Sequence, residues 1–276
     1  MTLYGRNAVF KAGIALSSAC LLLGLAATAF VAPLYPALDV RPARPEGIFH
    51  FLVARHFQAA PLAAHFAILF AALYSLVALA LIFRHFAKTQ PPEIFFIALF
   101  AASLAPEALR LAIPLGEIWP TQPLYLTIAA RAVFLFRYIG IFSLFAASVH
   151  ASGYQPTRLR GSIAAMLASA FFVALAMPVD SHLWDSSLNM LSGRGSMFAL
   201  VERGVLVLAP AGFLVAAHSR GLRLFAPVGA GAALALVGRN VLIGADTWAA
   251  LACGAIFLAA GTWLACTRVH RIYLWM

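Results

Sequence analysis

Long apolar runs alternate with short polar turns along the whole chain. The runs cover about residues 12–32, 62–84, 93–115, 124–149, 161–178, 198–217, 225–243 and 247–267. A helix crossing a hydrocarbon layer takes about 20 apolar residues, so each run is a candidate span. The pattern predicts an all-α fold, a polytopic transmembrane bundle of eight helices. The count falls to seven if residues 1–29 are a cleaved signal peptide. Arg6 and Lys11, an apolar middle and Ala27-Thr28-Ala29 have that layout. The run is longer than a usual signal core, which favours a retained helix. A likeness to a lipoprotein box at Leu16 to Cys20 is countered by Leu21-Leu22-Leu23 directly after the cysteine.

The expected organisation follows. Residues 1–32 are a membrane helix or signal peptide, 33–61 an outer loop, 62–267 a seven-helix bundle and 268–276 a short cytoplasmic tail. In the loop, Pro33, Pro36, Pro42 and Pro45 break helix, and Ile48 to Phe57 has the character of a short helix lying on the membrane surface. Residues 179–197 read as a polar loop with Asp180, His182, Asp185 and Arg194.

Composition supports this class. Hydrophobic residues make up 63% of the 276 and charged residues 10%, whereas a soluble domain has about 25% charged. The net charge of +10 then marks loops on one membrane side rather than a nucleic-acid binder. With the amino terminus inside, the inner segments hold Arg6, Lys11, Arg84, Lys88, Arg158, Arg160, Arg220, Arg223, Arg268 and Arg271. The outer loops hold only Arg41, Arg44, Arg55 and Arg194. The expected arrangement is multi-pass, with a cytoplasmic carboxy terminus.

Five arginines remain inside the apolar runs, where an unpaired charge is expensive. Glu107 and Arg110 lie on the third helix, Arg131 and Arg137 on the fourth. Glu202 and Arg203 begin the sixth, Arg239 and Asn240 end the seventh with Asp246 at its corner, and His65 is near the outer end of the second. At about 1.5 Å per residue these fall in one outer layer. Glu107 and Arg131 both lie at a depth of about 10 Å and are the expected pair; Arg137, near mid-membrane, has no evident partner. Two readings of the layer stay open. Buried charges can fix helix packing and register. Alternatively, arginines in excess of Glu107, Glu202 and Asp246 form a pocket for a carboxylate or phosphate, gripped bidentately by guanidinium. On the second reading the ligand-binding set is Glu107, Arg110, Arg131, Arg137, Glu202, Arg203, Arg239 and His65.

No cofactor or metal site is expected. Cys20, Cys253 and Cys266 have no metal spacing, no phosphate loop or hydrolase motif occurs, and His85, His150 and His218 end helices where they suit the dipole. Gly229, Gly231 and Gly238 read as helix-packing residues.

Gly116, Trp119-Pro120, Pro123, Arg131 and Phe136-Arg137-Tyr138 resemble the second-to-third helix region of the bacterial seven-transmembrane receptors with diverse intracellular signalling modules. The resemblance covers residues 62–267 in outline. It implies a receptor-like seven-helix unit acting in signal transduction in a bacterial inner membrane. Two features depart from that family: residues 33–61 are too short for its periplasmic ligand domain, and no output domain follows the last helix. The expectation is a sensor with a charged outer pocket, signalling through a separate cytoplasmic partner. The alternatives are an anion or small-solute transporter, and an intramembrane enzyme acting on lipid headgroups with Glu107 or His65 as base. The expected partners are the lipid bilayer and an anionic small molecule or lipid headgroup; nucleic acid is excluded.

Overall fold

The computed structural model describes residues 3–31, 33, 60–86, 91–119, 122–153, 159–192 and 196–274. The expected surface helix over 48–57 lies outside them, as do Lys88, Arg158 and Arg194. Helix α1 is Leu3–Val31 and α2 is Pro61–Phe86. The third span is composite: α3 Pro92–Ala102, a 3-10 segment Ala105–Leu111, then α4 Ala112–Ile118. Helix α5 is Pro123–Ala151 and α6 Leu159–Ala176. Strands β1 Val179–Trp184 and β2 Met190–Ser192 form an antiparallel hairpin. Then come α7 Ser196–Ser219, α8 Phe225–Ile243 and α9 Trp248–Leu274. Eight helical stretches among the described residues are long and apolar enough to cross a membrane. The chain is an all-α polytopic bundle, as the hydropathy pattern predicts. Its first helix takes in Arg6 and Lys11, and its last continues through Arg268 and Arg271.

The third span is the pillar of the bundle. Of its most apolar window, 83% is buried, against 17% for α6 and for α7. Proline explains its break. Pro106 has no N–H to give the carbonyl of Ala102, so the α-ladder cannot pass through it. Leu104 N donates instead to Ala101 O and Glu107 N to Leu104 O, both at 3.3 Å and three residues back. The segment tightens to about three residues per turn, which brings side chains at i and i+3 into line.

The region 179–197 departs from expectation. Over 179–192 it is not a solvated polar loop: β1 and β2 pair Val179 with Ser192 and Trp184 with Met190. The connection is closed by Asp185, whose Oδ1 accepts from Ser187 N at 3.0 Å and Asn189 N at 2.8 Å. That is the local chemistry by which aspartate makes turns. Leu188 has φ +61° and is fully buried, packing with Trp184 and Met190 against Ile68, Leu111 and Ile113. The hairpin is a plug seated on one end of the bundle.

The opposite end carries the basic turns. There Tyr273 Oη donates to Glu93 Oε2 at 2.8 Å, tying the end of α9 to the start of α3. Along the bundle, α8 and α9 approach backbone to backbone through glycines. A Cβ added at Gly238 would fall on the backbone of Leu258, and one at Gly261 on that of Ala235. Helix α1 docks through Ser17, whose hydroxyl lies 2.8 Å from that of Ser75 on α2.

Candidate functional site

Glu107 is the centre of the charged layer. The 3-10 geometry aligns it with Arg110, whose Nη1 donates to Glu107 Oε2 at 3.2 Å. From α5, Arg137 Nε donates to Oε1 and Nη2 to Oε2, both at 2.7 Å. This is a two-pronged guanidinium–carboxylate contact, the strong form of such pairs. Glu107 is 2% exposed, so the pair has little solvent to screen it. Removing one partner of such a buried pair costs about 3–5 kcal/mol, because the other charge is stranded.

Both arginines also hold the hairpin. Arg110 Nε donates to Leu188 O at 3.3 Å and its Nη2 to Ser187 O. Arg137 Nη2 donates to Asn189 Oδ1 at 2.6 Å. Asn189 spends its amide group on Ser187 Oγ at 2.7 Å and Ile243 O at 3.3 Å. Ser186 Oγ donates to Asp246 Oδ2 at 2.9 Å, so the α8–α9 corner is tied in as well. Below this layer, fully buried Arg239 donates to Asn240 Oδ1 and to the backbone carbonyl of Arg137, both at 3.0 Å.

The expected site residues therefore divide. Glu107, Arg110, Arg137 and Arg239 come together. Glu202 is half-buried on α7, near enough to act electrostatically on Arg137 and Arg239. His65 is fully buried near the start of α2 and enters none of the bonds just described. Arg131 and Arg203 stand apart. The Nε of Arg131 is buried without a hydrogen-bond partner, and Arg203 is exposed. The expected Glu107–Arg131 pair is not formed; Arg137, expected to be unpaired, is the principal partner of Glu107.

Two helix properties explain the exchange. The third span continues to Ile118, and its 3-10 residues rise about 2 Å each, so Glu107 lies about 18 Å below that end. Arg137, fourteen residues after Pro123, lies about 21 Å down, whereas Arg131 is at about 12 Å. Six residues of α-helix also set Arg131 and Arg137 about 120° apart around α5.

Asp185, Ser187 and Asn189 belong to the site and were not expected there. The Asp-Ser-Ser-Leu-Asn run between Trp184 and Met190 is the turn signal that marks them. Their presence changes the charge balance. Around the buried Arg110 and Arg239 and the partly buried Arg137 stand Glu107 in contact and Asp185 and Glu202 nearby, so the arginine surplus expected for the pocket is not in the cluster. Beside the cluster the described residues leave only a small cleft. A cleft lined by Leu109, Arg110, Val133, Phe134, Arg137 and Asn189 has a free volume of about 20 Å³, room for about one water. Among the described residues no group of three His, Cys, Asp or Glu side chains is placed to hold a metal. The protein is an integral membrane protein whose helices suit contact with a bilayer. No protein-family profile, curated protein or solved structure matches the chain, so the receptor-like resemblance rests on the residues of the corner and α5 alone.

Proposed function

We propose that this protein is a membrane sensor in which an anionic group competes with Glu107 and Asn189 for Arg137. The reading places the hairpin outside and both ends of the described chain in the cytoplasm of a bacterial cell, following the basic residues of the turns. One observation carries it. The Arg137 side chain is 15% exposed and borders the cleft, and its guanidinium divides its donors between the buried Glu107 and the hairpin's Asn189. A carboxylate or phosphate reaching that fork displaces the Asn189 contact first. Because the cleft holds about one water, entry requires the hairpin to shift. Binding and release of the hairpin are then one event, as ligand-driven switching requires. The shift passes down the third span to Glu93 and Tyr273, and from the basic end to a separate partner.

The test is a thermal-shift screen of purified protein against carboxylates and inorganic phosphate, paired with flux assays in proteoliposomes. Sensing predicts an upward shift with one of these anions, lost in Arg137→Gln, and no flux. Flux that depends on Arg137 would replace sensing by transport. Headgroup turnover by the purified protein would replace it by catalysis.

A further inference from the structure

We infer that Arg131 and Arg203 bind the phosphates of membrane lipids at the hairpin end of the bundle. The assignment is independent of the sensing proposal, since neither residue touches the Glu107 cluster. Arg131 shares a face of α5 with Leu124 and Ile128, seven and three residues earlier, and both of these are exposed. Arg203 shares a face of α7 with exposed Leu200 and Val207, three residues before and four after. In a bundle of apolar helices such faces look out at lipid. Neither guanidinium makes a hydrogen bond or ion pair among the described residues. A guanidinium does not lose its proton in a protein. In hydrocarbon it must therefore reach the interface or meet an anion there.

Geometry favours the interface at the hairpin end. Helix α5 has 29 residues, about 44 Å, against about 30 Å of hydrocarbon. If it is centred, about 7 Å projects at each end, and the Arg131 backbone, about 12 Å from the start, sits about 5 Å beneath the boundary. Helix α7 has 24 residues, about 36 Å, which places the Arg203 backbone about 7 Å beneath the boundary. Both helices begin at the hairpin end and pack together, so the two arginines share a depth. Side chains on a helix lean toward its amino end, so both point back toward that interface. The distances suit an arginine that lays its apolar stem along the helix and lifts its head to the boundary. The acceptor there is lipid phosphate, which the planar fork matches. Exposed Trp119 and Tyr125 belong to the same end, where aromatic side chains settle at headgroup level.

The experiment is native mass spectrometry of the full chain released from phosphatidylglycerol vesicles, comparing wild type with Arg131→Gln/Arg203→Gln. A basic side chain near an anionic surface contributes about a fivefold gain in binding. The double variant is expected to retain phosphatidylglycerol roughly 25-fold more weakly. Circular dichroism and the monodispersity of the double variant check that it folds. Equal retention by wild type and a folded double variant overturns the inference. So does a thermal shift by inorganic phosphate that is as large as that by phosphatidylglycerol and is lost in the double variant, which would mean a soluble anion at these two arginines. Loss of a detergent-stable dimer in the double variant, with lipid retention unchanged, would assign the arginines to a second copy of the chain instead. Should the double variant fail to fold, Arg131→Gln and Arg203→Gln singly must each lower retention about fivefold for the inference to stand.

Discussion

Arg137 meets Glu107 through two parallel hydrogen bonds of 2.7 Å across the interface of the third span and α5. Arg110, Arg239 and the hairpin are arranged about that contact. Arg110 comes to the same carboxylate from within the third span, and both arginines extend to the hairpin. One carboxylate thus aligns two spans and a β-plug.

Substituting Glu107 by Gln removes the charge that compensates two buried guanidinium groups. The expected loss is about 3–5 kcal/mol, read as a lowered midpoint in chemical denaturation of the detergent-solubilised protein. Arg137→Ala should cost a similar amount. Arg131→Ala in the same detergent should stay within about 0.5 kcal/mol. If Arg131→Ala is instead the costlier of the two, the pairing described here is wrong.

Asn189→Ala takes away the acceptor for Arg137 Nη2 and the donors to Ser187 and Ile243. With a buried guanidinium donor left short, about 1–3 kcal/mol is lost locally. The change should appear as faster amide exchange confined to residues 179–192, with the α8–α9 pair still protected. Uniform acceleration across all helices would contradict a latch specific to the hairpin.

Glycines within the helices divide by environment. Gly238→Val and Gly261→Val drive a side chain into the neighbouring backbone, and overpacking of this kind costs about 1–3 kcal/mol or more. Gly204 on α7 has nothing within 4 Å of an added Cβ, so Gly204→Ala should gain about 0.5–1 kcal/mol by helix propensity. Thermal midpoints moving in opposite directions are the expected signature.

At the basic end, Tyr273→Phe deprives the 1%-exposed Glu93 of its hydroxyl donor. A loss of about 1–3 kcal/mol is expected. Crosslinking between cysteines placed at the ends of α3 and α9 should become less efficient; unchanged efficiency would show that the tie does not position these helices.

Much of the architecture is legible from hydropathy alone, because a bilayer selects for long apolar helices and little else satisfies the backbone there. The layer holding Glu107, Arg110, Arg137 and Arg239 is legible too, since each charge stands out from an apolar run. Their pairing is not. Depth counted at a uniform rise overlooks Pro106 and the stretched turn it imposes, and it carries no information about rotation around the helix axis, which separates Arg131 from Arg137. The hairpin is missed for a different reason. Residues such as Asp185 and Asn189 look like solvated loop residues when judged by polarity, yet their side chains are consumed by the turn and by Arg137. Only the turn chemistry of Asp185 to Asn189 signals it.

The seven-residue 3-10 segment carries one more consequence. Wound as an α-helix, the same residues would be about 3.5 Å shorter and turned through about 140° less. The alignment of Glu107 with Arg110 depends on the tighter winding, and Arg110 in turn is pinned to the plug. If, as proposed, an anion draws Arg137 away and lifts the plug, the residues after Pro106 lose the side-chain contacts that hold the winding beyond the proline itself. Relaxation would then drive the span like a screw, combining a short axial draw with a twist, and deliver both to the far end of the pillar at Glu93. A message of that form needs no domain movement, only a change of pitch.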